Sequence, residues 1–600
     1  MKNSEDTERE LDKRSALAML SSDALSSVAY GTEQIVLVLV AVSSAAIWWS
    51  IPIACGVLIL LTALILSYRQ IIRAYPHGGG AYVVSSENLG KNAGLIAGGS
   101  LLIDYMLTVA VSVSAGAEAI GSAIPFFVEH QLMISSIIIV ILCLLNLRGV
   151  RESANALMVP VYLFIFIMTF VIIIGVVKIL IGAAPFHATA VVGQAIPAVS
   201  IALILRAFSS GAASLTGVEA ISNAVPIFKE PKPKNAGATL ALMGVILGFF
   251  FSGVTFLNYW YGITPEPKVT VLSQVAAAVL GGTGVLYYVF QFSTAAILAV
   301  AANTGFSAFP VLGYNLAKDK YMPHIYKDKG ARLGYSGGIF TLAVGAWLLI
   351  ILFKGDTSRL IPLYSVGVFI PFTLSQTGMI VRWAKMKTKK VAEVIPNVVG
   401  ALISLAIVLI LFAFRIEDVW PFFFIMPAIL YMFTRIKKHY DEIARQLRLT
   451  PKKKHGAYKG NQVVVLVGHV TVSDLGAIDY ARSIAHNEND EIIAVHVDTG
   501  KSPEKDVEIH EEFHKHFPDI DFRTILSPDR SVTEPVVNYI RKIAREAKKR
   551  EYATTVVISQ FVPKHPWERL LHNQTAMKIK IGLSSSENIV VSTSSYHLKK

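Results

Sequence analysis

Three carboxylates stand inside stretches of chain apolar enough to cross a bilayer. Glu219 lies in Thr216-Gly217-Val218-Glu219-Ala220-Ile221, Asp23 in Ser21-Ser22-Asp23-Ala24-Leu25, and Asp104 in Leu101-Leu102-Ile103-Asp104-Tyr105. A charged side chain at membrane depth costs on the order of 3 kcal/mol on insertion scales, so such groups persist where they bind a cation, carry a proton or pair with a partner. Asp104 and Thr108 are four residues apart and share one helix face; Thr216 and Glu219, three apart, do the same. Tyr30 follows Asp23 in the same span. Converging carboxylates, hydroxyls and freed carbonyls make an oxygen-rich site, which suits a hard, partly dehydrated cation. A soft transition metal would want clustered His or Cys, which the spans do not offer. Glu219, Asp104 and Asp23 are also candidate proton carriers, coupling the cation to H+.

Other polar residues in the spans carry two readings each. Arg206 is either a counter-ion to one of the acids, or a gate or internal cation mimic. Tyr364 is an interfacial anchor or a hydroxyl contributed to the site. Glu118, further along the span that holds Asp104, reads as a solvated helix end.

The elements that must position these groups are membrane helices. Of the 600 residues 53% are hydrophobic and only 16% charged, against about 25% charged in soluble domains; the mean hydropathy is +0.53. Twelve apolar runs fit bilayer spans: Leu17–Val42, Ile47–Ala74, Ala93–Ile124, Leu132–Leu147, Ala156–Leu180, Pro197–Val225, Ala236–Gly262, Val285–Ala308, Gly337–Phe353, Leu360–Val381, Val398–Phe414 and Trp420–Phe433. The net charge of +13 gathers in alternate connections, which excludes nucleic-acid binding as its reason. The basic connections hold residues such as Arg69, Arg73, Lys229, Lys232, Lys318, Lys320, Arg382 and Lys385; the others hold little beyond Lys178, Lys268, Lys354, Arg359 and Arg415. By the positive-inside rule both termini are expected in the cytoplasm of a multi-pass cell-membrane protein. No removable signal segment is expected before the first span. Cys55 and Cys143 lie within spans, so neither suggests a disulfide framework or a metal site.

Spans 1 and 6 match. Each carries a Ser-Ser pair (Ser21-Ser22; Ser209-Ser210) and then a Gly-x-Glu-x-Ile string (Gly31-Thr32-Glu33-Gln34-Ile35; Gly217-Val218-Glu219-Ala220-Ile221). Small polar residues of this kind either unwind a helix at a site or let helices approach closely. Their recurrence five spans apart favours a five-plus-five inverted repeat and a secondary transporter. Asp23 is expected before the break in span 1 and Tyr30 within it.

Four regions follow: an N-terminal tail over residues 1–15, a transporter domain over 16–434, a basic juxtamembrane linker over 435–460 with Lys452-Lys453-Lys454, and a soluble domain over 461–600. In the last, strands near Val463–Val467, Ile492–Val497, Phe522–Leu526, Thr555–Ile558 and Ile589–Val591 alternate with helices near Asp474–His486, Pro503–His516, Thr533–Arg550 and Pro566–Lys578. Such alternation predicts a doubly wound α/β sheet.

The strings Ser21–Gln34, Tyr75-Pro76-His77-Gly78-Gly79-Gly80-Ala81-Tyr82, Leu215–Asn223, Asn303–Pro310 and Ile361–Gly378 together resemble the KimA potassium importers, in the KUP group of the APC superfamily. The resemblance covers nearly the whole chain. It implies a LeuT-like fold, high-affinity K+ uptake coupled to H+, a homodimer, no cofactor, and a cytoplasmic domain similar to universal stress proteins that links transport to inhibition by cyclic di-AMP. Carried over string by string, the family's K+ pathway falls on Asp23, Tyr30, Asp104, Thr108, Thr216, Glu219 and Tyr364. One part of the stress-protein pattern is missing: Ser559–Pro566, where ATP-binding members have a glycine-rich phosphate loop, has no glycine. A cyclic dinucleotide would need other basic groups, such as Arg482 or Arg530.

Competing readings are an APC-type amino-acid or polyamine carrier, and a membrane sensor signalling through its C-terminal domain. Asp23 at the span 1 break disfavours an amino-acid carboxylate but not a polyamine. No nucleophile–base arrangement or phosphate loop suggests an enzyme.

Overall fold

A computed structural model describes residues 11–78, 80–148, 154–184, 186, 199–266, 269–327, 336–386, 391–448, 458–499, 503–527, 532–562, 575–586 and 588–597. The chain divides into two compact units, Met1–Leu447 and Arg448–Lys600.

Among the described residues of the first unit, twelve stretches of helix are long and apolar enough to cross a membrane: Lys13–Val40, Ser44–Ala74, Lys91–Ala123, Pro125–Leu147, Met158–Leu180, Ile201–Asn223, Lys232–Trp260, Val285–Lys318, Ser336–Phe353, Thr357–Lys385, Val391–Phe414 and Ile416–Leu447. The protein is a polytopic membrane protein. An even number of spans returns the chain to the side on which it starts, the N-terminal face; the connections after odd-numbered spans lie on the opposite face. Spans 1, 3 and 10 are the most enclosed, whereas spans 4, 5 and 12 turn most of their residues outward. Their exteriors carry single large apolar side chains such as Phe166, Ile173, Leu144 and Phe424, as a lipid-facing helix requires.

The two matched spans behave differently. Span 6 unwinds: Ile201–Ala212 ends in a single 3-10 turn, Thr216 is extended, Gly217 is left-handed at φ 76°, and a new helix runs over Val218–Asn223. Span 1 only kinks. Its helices Lys13–Ser26 and Val28–Val40 meet at Ser27, which keeps helical angles. Unwinding expected in both spans therefore occurs in span 6 alone, and Tyr30 lies in the first turn beyond the kink. Gly31 has a different purpose from Gly217: a Cβ there would stand 2.3 Å from Cβ of Ser214, so the missing side chain lets span 1 approach span 6 closely.

Two short helices escape a search for long apolar runs. Gly80–Asn88 follows span 2 on the N-terminal face, and Val271–Leu280 follows span 7 on the opposite face. Span 12 continues as helix to Leu447, so residues 435–447, expected in the linker, extend a membrane helix instead. Lys452-Lys453-Lys454 lies outside the described residues.

The second unit is a five-stranded, all-parallel sheet of β1 Gly460–Leu466, β2 Glu491–Asp498, β3 Asp521–Leu526, β4 Tyr552–Val562 and β5 Ile589–His597, in the order β3-β2-β1-β4-β5. Alternation along β1 sends Val463 and Val465 to a core with Ala477, Ile478 and Phe513, and Val464 and Leu466 to another with Val536, Ile540 and Ile579. The last helix runs over Thr575–Leu583; the earlier part of the expected Pro566–Lys578 segment, like residues 563–566 of the glycine-free stretch, lies outside the described residues.

Candidate functional site

The break in span 6 faces the first half of span 1. A Cβ on Gly217 would lie 2.8 Å from both the Asp23 Oδ2 and the Ala24 nitrogen. The Ser27 hydroxyl donates to the Ser214 carbonyl at 2.6 Å and also to its own Ala24 carbonyl. Span 3 closes a second side: a Cβ on Gly367 of span 10 would touch the Asp104 backbone at 3.3 Å. The Thr108 hydroxyl bonds the Asp104 carbonyl at 3.0 Å and the Tyr364 hydroxyl at 3.2 Å.

All seven expected pathway residues are buried, none more than 8% exposed. Six gather between spans 1, 3, 6 and 10. Tyr364 lies within electrostatic range of Asp23, Tyr30 and Asp104, and Tyr30 within range of Asp23 and Asp104. Four oxygens in this group, Asp23 Oδ1, Tyr30 Oη, Asp104 Oδ1 and Thr216 Oγ1, are buried without any hydrogen-bond partner. Leaving a buried polar atom unpaired costs about 1–3 kcal/mol, more for a charged group. Four such oxygens close together are more than a folded protein ordinarily leaves unpaired.

Tyr364 is therefore no interfacial anchor: it is 1% exposed and hydrogen-bonded within the protein. Arg206 does not act as a counter-ion to the acids. No ion pair joins it to Asp23, Asp104 or Glu219, its Nε has no hydrogen-bond partner, and it lies within range of Arg415 near the opposite face. Arg206 lies in the helix before the break of span 6, Glu219 in the helix after it. Glu118 is also no solvated helix end. Its carboxylate takes two contacts from the Thr357 hydroxyl, at 2.9 and 3.0 Å, and one from Gln131 Nε2 at 3.3 Å, tying span 3 to the start of spans 4 and 10.

Glu219 lies nearer the N-terminal face, within electrostatic range of Asp104 but hydrogen-bonded to a different set of partners. Its Oε1 accepts from the Ala81 backbone N–H at 3.1 Å and from Asn223 Nδ2 at 3.2 Å; its Oε2 accepts from Tyr68 Oη at 3.4 Å. The Ala81 amide belongs to the first turn of the helix Gly80–Asn88, where unpaired N–H groups favour an anion. Gly80 permits the approach, since a Cβ there would stand 1.9 Å from Asn223 Oδ1 and 2.9 Å from Glu219 Oε1. The spacing of Glu219 and Asn223, four apart, could have revealed Asn223; nothing local to Tyr68 or Ala81 points to Glu219.

In the C-terminal unit Arg482 is already engaged. It makes two 2.8 Å bonds to the carboxylate of Asp519, a pair whose side chains are both exposed. Arg530 lies outside the described residues.

Comparison with known proteins agrees with this division. Residues 11–434 match the family model described as amino acid permease, and residues 459–596 that described as KimA potassium transporter C-terminal domain. The chain is 48% identical over 600 residues to the potassium transporter KimA of Bacillus subtilis, an alignment covering 99% of this chain and 97% of that one. It is 24% identical over 349 residues to the low-affinity putrescine importer PlaP of Escherichia coli, covering 55% of this chain and 73% of PlaP. Identity to the vacuolar cationic amino acid transporter 4 of Arabidopsis thaliana is 21% over 330 residues.

Proposed function

The chain belongs to the KimA potassium transporter family, and we propose that it takes up K+ together with H+ by alternating access, from an oxygen-lined site between spans 1, 3, 6 and 10. The observation that carries this reading is the set of four unpartnered buried oxygens on Asp23, Tyr30, Asp104 and Thr216. A dehydrated K+ needs several oxygens at once, and carboxylate, phenol and hydroxyl oxygens supply them without directional demands. Tyr364 and Thr108 hold two walls together, while the Asp23 and Asp104 carboxylates provide the charge that offsets dehydration. Glu219, on the N-terminal side of the cluster, is the leading proton carrier, with Asp104 and Asp23 the alternatives.

The N-terminal face is the cytoplasmic one, as the basic connections favour. The break at the extended Thr216 and the left-handed Gly217 supports a LeuT-like inverted repeat, in which a broken helix meets the ion. The likeness of residues 459–596 to the KimA C-terminal domain supports a regulatory role for that unit, with cyclic di-AMP as inhibitor and a homodimer as the working assembly.

The similarity to PlaP keeps a polyamine in view, since putrescine is also cationic. Growth of a K+-uptake-deficient strain on micromolar K+ separates the two. The reading requires rescue, undiminished by excess putrescine; failure despite good membrane expression would defeat it. Flux that disappears in Asp104→Asn would also exclude a sensor that transports nothing.

A further inference from the structure

Spans 3 and 10 run antiparallel and meet at three levels. Nearest the N-terminal face, a Cβ on Gly367 would touch the Asp104 backbone at 3.3 Å. About one turn along span 3, the Thr108 hydroxyl meets the Tyr364 hydroxyl at 3.2 Å. At the first residue of span 10, the Thr357 hydroxyl reaches both carboxylate oxygens of Glu118, at 2.9 and 3.0 Å. The first two contacts belong to the oxygen cluster; the third does not. Glu118 takes its other bond from Gln131 Nε2 at 3.3 Å, and the same nitrogen reaches the Gly355 carbonyl at 3.3 Å, just before span 10 begins. Among the described residues no Lys or Arg bonds Glu118, so a salt bridge does not explain this acid.

What these bonds hold is the first turn of span 10. Pro362 lies between Thr357 and Tyr364 and has no N–H to give the Ser358 carbonyl four residues back. Arg415 Nη2 bonds that carbonyl instead, at 2.9 Å. The backbone ladder therefore lacks a bond between Thr357 and Tyr364, and side chains of neighbouring spans decide how the start of the span is seated. The end of span 3 has anchors of its own. The Ser122 hydroxyl accepts the Thr270 N–H at 3.0 Å, and the Ser122 carbonyl accepts from Tyr287 Oη at 3.2 Å. Glu118 thus stands on a well-braced element and grips a less braced one.

We infer that Glu118 is a positioning residue for transport: by holding Thr357 it seats the start of span 10 against span 3 and keeps the Tyr364 hydroxyl on Thr108. It touches no ion itself. A hydrogen bond to a carboxylate is of the stronger kind, and Thr357, only 5% exposed, has little water to replace it. Losing this grip lets the first turns of span 10 move off span 3 and withdraws the Tyr364 oxygen, so the cation site weakens without losing any residue of its own. That consequence rests on the reading of Tyr364 as part of the cation site, whereas the grip itself does not.

The test uses the full chain in proteoliposomes. Thr357→Val keeps the shape and deletes the hydroxyl, Glu118→Gln keeps an acceptor without the charge, and Thr357→Ser keeps the bond. Thr357→Val should raise the KM for Rb+ several-fold, up to the roughly tenfold expected of Tyr364→Phe, with Vmax little changed. Glu118→Gln should do the same more weakly, and Thr357→Ser should behave as wild type. In the Tyr364→Phe background, Thr357→Val should add nothing, because the oxygen it displaces is already gone. Without K+ or Rb+, amide hydrogen exchange at residues 357–364 should quicken in Thr357→Val and stay unchanged at the end of span 3. Exchange at 357–364 as slow in Thr357→Val as in wild type overturns the inference. So does a KM left unchanged by Thr357→Val where Tyr364→Phe raises it, or a loss that adds in full to that of Tyr364→Phe. A wild-type KM in Tyr364→Phe together with quickened exchange in Thr357→Val would instead defeat the reading of Tyr364 as a site residue and leave the grip of Glu118 on span 10 standing.

Discussion

The hydroxyl of Ser27 bonds the carbonyl of Ser214 at 2.6 Å, joining the kink of span 1 to the 3-10 turn before the break of span 6. A carbonyl freed by the end of a helix is satisfied by the neighbouring span and not by water, so the two irregular segments form one unit. Asp23 and Thr216, four residues before and two residues after the joined positions, are thereby fixed against each other.

Gly217 is the residue this junction can least afford to change. At φ 76° any side chain adds about 1–2 kcal/mol of backbone strain, and its Cβ would stand 2.8 Å from Asp23 Oδ2. Gly217→Ala is expected to reach the membrane in reduced amount and to lose uptake even where it folds. Normal uptake by the purified variant would show that the left-handed turn does not shape the site.

Tyr364→Phe removes one hydroxyl from the cluster and its bond to Thr108 while keeping the ring. A hydrogen bond to a charged or ion-bearing network contributes about 1.5 kcal/mol or more, so K+ affinity should fall roughly tenfold with little change in thermal stability. Titration with Rb+ or K+ by calorimetry reads both the affinity and the folded fraction.

The sequence shows the burial of the acids plainly and their grouping only partly. Asp104 with Thr108, and Thr216 with Glu219, follow from helix periodicity, and the cost of charge in a bilayer singles out Asp23. Two strings of the same Gly-x-Glu-x-Ile pattern conceal different geometry, because Gly31 serves close packing and Gly217 serves a left-handed turn; glycine alone does not say which. The burial of Glu219 is legible in the sequence, but its partners Ala81, Asn223 and Tyr68 are not, because only the folded arrangement of spans 2 and 6 brings them together. Arg206 looks like a counter-ion because its place on the far side of the break from Glu219 is not legible in the sequence. Strand–helix alternation made the number and order of the C-terminal strands legible, though β4 and β5 run well past Thr555–Ile558 and Ile589–Val591, whereas the helical run of span 12 past Phe433 was hidden by its polar composition.

Glu219→Gln keeps an oxygen to accept the Ala81 N–H but can no longer carry a proton. We expect weaker K+ affinity and a flattened pH dependence of uptake across the neutral range. Wild-type pH dependence in this variant would remove Glu219 from proton coupling and pass the role to Asp104 or Asp23.

In the C-terminal unit, the Arg550 guanidinium beside Glu491 holds that carboxyl below its ordinary value. The pair's contribution is therefore present above the unfolded value near 4.3 and is lost as pH falls through the lower folded value. Both side chains are 46% exposed, so solvent screening leaves well under about 1 kcal/mol. Arg550→Met should slightly hasten hydrogen exchange in β2 at pH 7 and have no effect at about pH 3; an equal effect at both would mean that packing, not charge, links the two residues.

Uptake of Rb+ into proteoliposomes holding the purified full-length chain tests the central claim most directly. The account predicts saturable influx that is driven by an inward proton gradient, competed by K+ and not by putrescine, and abolished by Asp104→Asn. Putrescine influx without Rb+ influx, or Rb+ influx undiminished in Asp104→Asn, would contradict it.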